Sequence, residues 1–484
     1  MTLITAALLI PLVTAVAVAA TGRHARLRDA CTLIGGGLLA LLIFGAWPAV
    51  SGGERPEWLA WSILPGLDIY FQLEPLGLLY ASVAAGLWPI TSIYASGYLK
   101  GAHEKHQTRF FVCFTLAIFA AMGIALAGNL ITLFLFYEVL TLSTWPLVTH
   151  KGTAEAKRGG RIYLGILLTT SIGLLLPAIV WTGTLAGSTA FSPGGILTGK
   201  ASPSVLGLLY ALFLFGVGKA ALMPFHRWLP AAMVAPTPVS ALLHAVAVVK
   251  AGVFAVLKIS VMIFGLDNLF TTDASEVMSW VAGFTILMAS LIALQQDNLK
   301  ARLAYSTISQ LAYIVLGATM ATALAAQGAG LHIVMHALAK ITLFFCAGAI
   351  YVAHHKTLVS ELDGLGRRMP WTFAAFGLAS LSIIGIPPLG GTWSKWWLTL
   401  GALEADQLWI VATLAVSSLL NIAYLIPIVA RGFLRPLPDG APTERSAGEA
   451  PLSMVLPLCL TAAGCLAAFV LAQPVLELLR GITQ

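Results

Sequence analysis

Apolar stretches of about 20 residues, separated by short polar connections, constrain the fold of this chain more than any other feature. Only 10% of its 484 residues are charged, whereas soluble domains carry about 25%. The chain is therefore predicted to be an all-α polytopic membrane protein with about 14 transmembrane helices. The predicted spans are 3–20, 31–49, 76–97, 110–127, 129–149, 162–186, 203–225, 236–263, 276–295, 302–322, 329–352, 371–399, 406–433 and 452–479.

The positive charges alternate between the two sides of this arrangement. Of the 27 Lys and Arg residues, 19 lie in connections after odd-numbered spans, three after even-numbered spans and five inside spans. Because Lys and Arg accumulate in cytoplasmic loops, we expect the odd connections in the cytoplasm and both termini outside, in a bacterial cytoplasmic (inner) membrane. The same bias explains the net charge of +7 without nucleic-acid binding.

No segment of the sequence indicates a soluble domain, a cofactor site or a metal site. Residues 51–74 are expected to form a loop whose Trp and Tyr side chains suit the membrane interface, and the connection 431–451 is too short to fold alone. The five Cys lie in apolar runs without C-x-x-C spacing and are interpreted as small buried side chains. No nucleophile–base arrangement appears either, so a catalytic enzyme on this chain alone is disfavoured.

One acidic residue, Glu138, lies deep inside an apolar stretch, ITLFLFYEVLTLSTWPL. A carboxylate in that position must be protonated or paired with a cation. Of the five lysines inside spans, Lys219 is the expected partner. Such a pair could release and rebind a proton when its spacing changes, and a static ion pair is the alternative.

His332, His336 and Lys340 are spaced four residues apart in LHIVMHALAK and therefore share one helix face. Imidazole relays protons near neutral pH, so this face could continue a hydrated line through the bundle. Hydrogen bonding between helices is the alternative interpretation. The glutamate of H-E-x-x-H is missing, which disfavours a metal site.

The eighth span contributes three more basic side chains. His244 and Lys250 lie six residues apart, on adjoining parts of the helix surface. Lys258 is closer to the end of the span, where a lysine can extend its ammonium group to the interface, and it is interpreted as structural.

Two spans contain helix-breaking residues beside a lysine. Span seven contains Lys219 near Pro224, and span twelve contains Pro387–Pro388 and Gly390–Gly391 before Lys395. The two broken helices lie five spans apart, and this odd offset reverses the direction of equivalent helices in the membrane. The pattern predicts inverted repeats formed by spans 4–8 and 9–13. The predicted division is an N-terminal three-helix region at 1–109, a first repeat at 110–263, a second repeat at 276–433 and a C-terminal helix at 452–484.

Several motifs resemble one family of membrane proteins. They are FYEVL in span five, VGKAALMPFHRWLPAAMVAPTPVSALLHAVAVVKAG in spans seven and eight, HALAKITLFF in span eleven and GIPPLGGTWSKWW in span twelve. Together they are similar to the antiporter-like subunits of respiratory complex I and the multisubunit Mrp antiporters, and most similar to the D-type Mrp subunits. The resemblance covers about residues 70–430 and implies the same pair of inverted repeats.

The resemblance also implies roles for individual side chains. Glu138 matches the family glutamate that pairs with the lysine of the seventh helix, here Lys219. Lys250 matches the lysine thought to link two half-channels, and Lys395 matches the lysine or glutamate of the broken twelfth helix. The residues expected on the central hydrated axis are His332, His336 and Lys340.

The expected function is proton translocation within a multisubunit Mrp-type Na⁺/H⁺ antiporter, by Glu138, Lys219, Lys250, Lys395, His332, His336, Lys340 and His244. The expected partners are other membrane subunits, protons and Na⁺ or K⁺, with no cofactor. Two alternatives remain open at this point. One is a proton-pumping subunit of a redox-driven complex, either complex I or a membrane-bound hydrogenase. The other is the membrane subunit of an inorganic-carbon uptake system with a soluble zinc protein as partner.

Overall fold

The computed structural model describes residues 2–64, 66–437 and 448–482, and each of the fourteen predicted spans coincides with a helix or a run of helices. Within these residues, eleven helices or helical runs are long and apolar enough to cross a membrane. Spans seven and twelve fall short because each is divided into pieces, and span ten contains many hydroxyl and amide side chains. Most of the connection predicted at 431–451 lies outside the described residues.

The N-terminal region consists of four helices and a β-hairpin. Its elements are α1 (Leu3–Ala20), α2 (Ala25–Gly45), α3 (Trp47–Ser51), β1 (Glu57–Leu64), β2 (Leu67–Gln72) and α4 (Pro75–Gly101). Pro75 occupies the first turn of α4, where a missing N–H costs nothing. Glu74 caps the same helix by accepting hydrogen bonds from the backbone N–H groups of Leu76 and Gly77 at 2.6 and 2.7 Å.

The hairpin corrects the prediction that residues 51–74 form a loop, whereas the rest of the described chain is helical, as the predicted fold class requires. β1 and β2 pair antiparallel, with Glu57 opposite Gln72 and irregular register after Leu59. β2 also binds the bundle, because Gly128 N donates to Tyr70 O at 2.9 Å. Aromatic and β-branched residues on both sides of a Pro-Gly pair signalled these strands, but the aromatic side chains equally suited an interfacial loop.

The middle of the chain forms the second group of helices. Its elements are α5 (Gln107–Ala125), α6 (Leu130–Val148), α7 (Ala154–Thr170), α8 (Leu176–Ala186), α9 (Pro203–Gly216), α10 (Trp228–Ala231), α11 (Thr237–Ala241), α12 (Val248–Ile259) and α13 (Leu266–Phe270). Span seven is broken, as predicted: α9 ends at Gly216, and Lys219 lies in the short 3₁₀ turn that follows. Span eight contains a π-helical turn, Leu242–Val246, between α11 and α12, and His244 lies within it.

The last group contains the second broken helix. Its elements are α14 (Asp273–Gln295), α15 (Leu299–Thr319), α16 (Ala323–His354), α17 (Pro370–Ile384), α18 (Gly391–Glu404), α19 (Leu408–Leu434), α20 (Leu452–Val470) and α21 (Ala472–Arg480). Span twelve is α17 followed by α18, interrupted at the Pro and Gly residues as predicted.

The 32-residue helix α16 lies at the centre of the molecule. It packs against α4, α11 and α12 on one side and against α15, α17, α18 and α20 on the other. The side chains of α12 are buried throughout. The predicted functional residues of α12 and α16 therefore lie where the groups of helices meet, far from bulk water.

Candidate functional site

Lys219 is enclosed in the break of span seven. Its Nζ donates to the backbone oxygen of Tyr137 at 2.8 Å and to Thr141 Oγ1 at 2.6 Å, and it lies 3.1 Å from the centroid of the Tyr137 ring. The backbone N–H of Lys219 donates to Tyr137 Oη at 3.0 Å. Because helix hydrogen bonding stops at the break, α6 supplies the groups that bind this lysine.

The predicted ion pair between Glu138 and Lys219 is not formed in this structure. No salt bridge joins them in the described part of the chain, and both carboxylate oxygens of Glu138 are buried without a hydrogen-bond partner there. Glu138 lies on α6 between Tyr137 and Thr141, the two residues that bind Lys219, but its carboxylate makes no contact with the ammonium group within ion-pair distance. In this arrangement a carbonyl and a hydroxyl bind the ammonium group, so the role predicted for Glu138, which depends on a change in its distance from Lys219, stays a prediction.

Lys250 and His336 are in direct contact at the centre of the protein. Lys250 Nζ lies 2.6 Å from His336 Nδ1, and both side chains are buried. The contact joins α12 to α16. His244 lies one helical segment earlier, with its ring 4.6 Å from that of Phe344, and neither of its nitrogens has a partner among the described residues.

The side chains of His332 and Lys340 on α16 link this helix to α15, α18 and α19. His332 Nδ1 lies 2.8 Å from Ser394 Oγ on α18, and the rings of His332 and His336 are 6.0 Å apart. Lys340 Nζ donates to Ser306 Oγ on α15 at 2.5 Å. Ser306 Oγ in turn lies 2.8 Å from Tyr424 Oη on α19. The shared face predicted from the spacing is thus a set of polar contacts between helices.

Lys395 is bound in a manner similar to Lys219. Its Nζ donates to the backbone oxygen of Ile384 at 2.9 Å and to Ser418 Oγ at 2.8 Å. The carbonyl of Ile384 is free to accept because α17 ends there. Unlike Lys219, Lys395 lines a cavity of about 400 Å³, which is also lined by Thr392 and Thr399.

Lys258 is not an interfacial lysine, which corrects the sequence prediction. Its side chain is fully buried, and Nζ lies 3.1 Å from Glu74 Oε1, which is itself only 5% exposed. Nζ also donates to the backbone oxygen of Ala127 at 2.7 Å. This buried ion pair was missed because its partners are distant in sequence and Glu74 lies at a helix start.

Uncharged side chains of α15 were also missed. Ser306, Gln310 and Tyr313 are fully buried and spaced four and three residues apart, so they share a helix face. Their spacing in AYSTISQLAY was a readable signal. Neutral polar residues at such spacing are common in helices, so the signal lacked specificity.

Outside the spans, charged groups fix the connections. Burial raises the pKa of Asp363, but hydrogen bonds from Arg431 and Arg435 outweigh this and hold that pKa below its ordinary value. Burial and the positive charge of Arg109 lower the pKa of His150 to about 4. The connection after α6 therefore holds its histidine neutral.

Comparison with known families gives one family match. A family model described as NADH:quinone oxidoreductase/Mrp antiporter, transmembrane, matches residues 127–421. The chain is 33% identical over 437 residues to the N subunit of NADH-quinone oxidoreductase from Desulforudis audaxviator, covering 86% of this chain and 83% of that protein. It is 33% identical over 372 residues to the A/B subunit of a probable K⁺/H⁺ antiporter from Rhizobium meliloti, covering 74% of this chain but only 36% of that protein.

Solved structures share the fold over nearly the whole chain. A chain in the Mrp complex from Dietzia sp. DQ12-45-1b superposes with a TM-score of 0.88 at 22% identity, covering 100% of this chain and 97% of that one. A chain in the membrane-bound sulfane sulfur reductase, an archaeal respiratory membrane complex, superposes with a TM-score of 0.83 at 23% identity, covering 99% and 98%. At these identities the likeness concerns the fold alone.

Proposed function

The chain belongs to the NADH:quinone oxidoreductase/Mrp antiporter family, as its motifs predict, and we propose that it translocates protons within a multisubunit Mrp-type cation/proton antiporter. The position we propose for it there is that of the D-type Mrp subunit. The relative named as part of a K⁺/H⁺ antiporter, together with the fold shared with an Mrp complex, supports this proposal.

One contact carries the proposal. The 2.6 Å approach of Lys250 Nζ to His336 Nδ1 joins the half of the molecule that contains Lys219 to the half that contains Lys395. Both partners are buried and both exchange protons with neighbours of suitable geometry. A purely structural contact at this depth would be expected to use groups that carry no charge, because burying a charge is costly.

In the proposed mechanism, a proton enters a half-channel and reaches Lys219. It then moves to Lys250, beside which His244 lies, and passes along the face of α16 formed by His332, His336 and Lys340. The proton leaves through Lys395, which lines a cavity.

Glu138 adjusts the first of these steps. In the arrangement described here, its carboxylate is withdrawn from Lys219, whose ammonium group is held by Tyr137 and Thr141. Its approach would favour the protonated lysine, and its withdrawal would favour proton release.

We further propose a bacterial cytoplasmic membrane location, odd-numbered connections in the cytoplasm and both termini outside. The asymmetry of the Lys and Arg residues supports this orientation. The two broken helices support inverted repeats at 110–263 and 276–433, between a region at 1–109 and a helix at 452–484. The partners are other membrane proteins, as in the Mrp assembly that shares the fold.

A redox-driven proton pump is the second candidate. The similarity to the N subunit of NADH-quinone oxidoreductase, which extends over 83% of that protein, favours it specifically. The proton-carrying residues would be the same in both cases, and only the source of energy would differ.

Inside-out vesicles from an antiporter-deficient host that expresses this gene with its neighbours test the proposal. With a pH gradient imposed and redox donors withheld, addition of Na⁺ or K⁺ should collapse the gradient, as followed with a pH-sensitive dye. Lys219→Ala should abolish this collapse and Glu138→Gln should reduce it, because the first removes a proton carrier and the second the charge that adjusts it.

Lys105→Ala is the matched control, because Lys105 is an exposed lysine in a connection and should transport normally. Intact transport in both Lys219→Ala and Glu138→Gln would refute the proposed route. Acidification that requires NADH or a hydrogenase donor, without a response to either cation, would select the redox-driven candidate.

A further inference from the structure

The face of α15 formed by Ser306, Gln310 and Tyr313, hereafter the α15 stripe, lies between Lys340 and Lys395. At one end, Lys340 Nζ donates to Ser306 Oγ at 2.5 Å. At the other end, Lys395 Nζ lies 5.1 Å from the centroid of the Tyr313 ring. Seven residues of α-helix span about 10 Å, so the stripe bridges a distance that no single side chain covers.

Tyr313 differs from the other buried tyrosines. Eight tyrosines are fully buried in the part of the chain that the structure describes, and seven of them have hydroxyl groups in hydrogen bonds. The hydroxyl of Tyr313 alone among these eight makes none. Its polar neighbours are Gln310, Ser417 and Ser418, and Ser418 Oγ is the hydroxyl that binds Lys395 Nζ at 2.8 Å.

Gln310 has the same property one turn earlier on α15. Both the oxygen and the nitrogen of its side-chain amide are buried without a partner among the described residues. Buried polar groups in native proteins are nearly always hydrogen-bonded, to protein or to water. Two adjacent groups of this kind, between two lysines, mark a place where water and a mobile proton can be held.

We propose that the α15 stripe is the proton path from Lys340 to Lys395, with the Tyr313 hydroxyl as its last contact. This inference rests on the proposed function and assigns residues to a step which that function leaves open. Ser306 receives the proton from Lys340, and Gln310 orders water between Ser306 and Tyr313. Tyr313 then passes the proton to Ser418 and Lys395.

The transfer at Tyr313 leaves the phenol unchanged. A lone pair of Oη accepts a proton from water beside Gln310 while the O–H donates its own proton toward Ser418 Oγ, whose proton moves to a neutral Lys395 amine. The water regains its proton through Ser306 Oγ from the Lys340 ammonium group. Water, Ser306, Tyr313 and Ser418 thus begin and end neutral, Lys340 ends neutral and Lys395 ends protonated. The ring of Tyr313 stacks on His332, with centroids 5.4 Å apart. Rotation about the C–O bond reorients the hydroxyl proton while the ring stays in place.

A second route competes with the stripe. His332 Nδ1 contacts Ser394 Oγ at 2.8 Å, and Ser394 precedes Lys395 in sequence. However, Ser394 Oγ donates to Gly391 O at 3.1 Å, whereas Lys395 Nζ binds Ile384 and Ser418 instead. The stripe therefore leads to Ser418, a hydroxyl that binds Lys395 Nζ, whereas the hydroxyl of Ser394 does not bind it.

Tyr313→Phe in the assembled complex tests the inference, because it removes the hydroxyl and keeps the ring. In the vesicle assay we expect cation-dependent proton transport to fall on the order of 10²-fold, the loss typical of a removed proton-transfer group. Tyr313→His should restore part of the rate, because imidazole relays protons and stacks on His332. Native gel electrophoresis of the extracted membranes establishes that the variant complex has assembled.

Tyr210→Phe is the matched control, because the Tyr210 hydroxyl is also buried but binds Ser260 Oγ at 2.9 Å, away from the lysines. It should transport at the unchanged rate. Unchanged transport in Tyr313→Phe would overturn the inference, and a loss in Ser394→Ala alongside it would assign the path to Ser394. Lys219→Ala is assayed in parallel to distinguish the two proposals. If Lys219→Ala still transports protons, the proposed function fails. If Lys219→Ala is inactive and Tyr313→Phe is active, only the proposed path along the α15 stripe is refuted.

Discussion

The two broken helices hold their lysines with the same pair of groups but in different surroundings. Lys219 and Lys395 each donate to one backbone carbonyl and one hydroxyl. Lys219 is sealed and has Glu138 nearby on α6, whereas Lys395 lines a cavity of about 400 Å³ and forms no salt bridge within the described residues. The same kinds of ligand thus bind one lysine that is enclosed by protein and another that lines a cavity.

Replacement of either lysine by arginine should have the largest effect. Arginine keeps the charge and the hydrogen-bond donors but does not release its proton in proteins. We expect Lys219→Arg and Lys395→Arg each to reduce transport on the order of 10²-fold in the vesicle assay. Lys105→Arg serves as the exposed control. Normal transport in Lys395→Arg would mean that Lys395 is a fixed charge rather than a proton carrier.

Removal of the hydroxyls of Thr141 and Ser418 should distinguish the enclosed site of Lys219 from the site of Lys395, which adjoins a cavity. A hydrogen bond to a charged group contributes about 1.5–3 kcal/mol, so Thr141→Ala should reduce transport about tenfold. Ser418→Ala should have a smaller effect on the binding of Lys395, because water in the adjoining cavity can replace the hydroxyl. Since Ser418 also belongs to the proposed path, the comparison is made on the pH dependence of transport, which should change more in Thr141→Ala. The opposite order would show that the cavity supplies no replacement.

The smallest expected effect concerns stability in acid, to which His150 and Asp363, in two different connections, should contribute differently. Because the pKa of His150 is lowered to about 4 from an ordinary value of 6.5, the unfolded state binds the proton first. Its contribution to stability is therefore complete above pH 6.5 and is lost as the pH falls toward 4, by about 3 kcal/mol at most. The pKa of Asp363 is held below 3.8, so its contribution is lost only in stronger acid.

Thermal unfolding of the purified complex between pH 7 and pH 4 measures this difference. His150→Gln should flatten the pH dependence in that window, whereas Asp363→Asn should lower stability at all these pH values without changing the slope. An unchanged slope in His150→Gln would show that another group controls the acid response.

The sequence predicted the parts of this molecule that depend on local properties. The spans follow from length and hydropathy, and the breaks at Gly216 and Ile384 follow from nearby Pro and Gly residues. The shared face of His332, His336 and Lys340 follows from helical spacing. These features need no knowledge of which helices are neighbours.

The remaining features depend on contacts between distant segments. The partners of Lys219 and Lys258 could not be found from spacing, because a buried ammonium group can donate to a carbonyl, a hydroxyl or a carboxylate. The prediction chose Glu138 because it was the only deep carboxylate, and it overlooked Glu74 because helix starts usually face water. The roles proposed for the lysines and histidines stay predictions until transport is measured.

The buried pair of Glu74 and Lys258 has a consequence for how the protein is made. Its lysine is synthesised more than 180 residues after its glutamate, which at usual elongation rates is a delay of about 10–40 s. Until then, the start of α4 carries a carboxylate without its ammonium partner, and an unpaired charge does not settle in hydrocarbon. We therefore expect the start of α4 to take its final position only after the eighth span has been made, so that translation order and packing order differ at this helix.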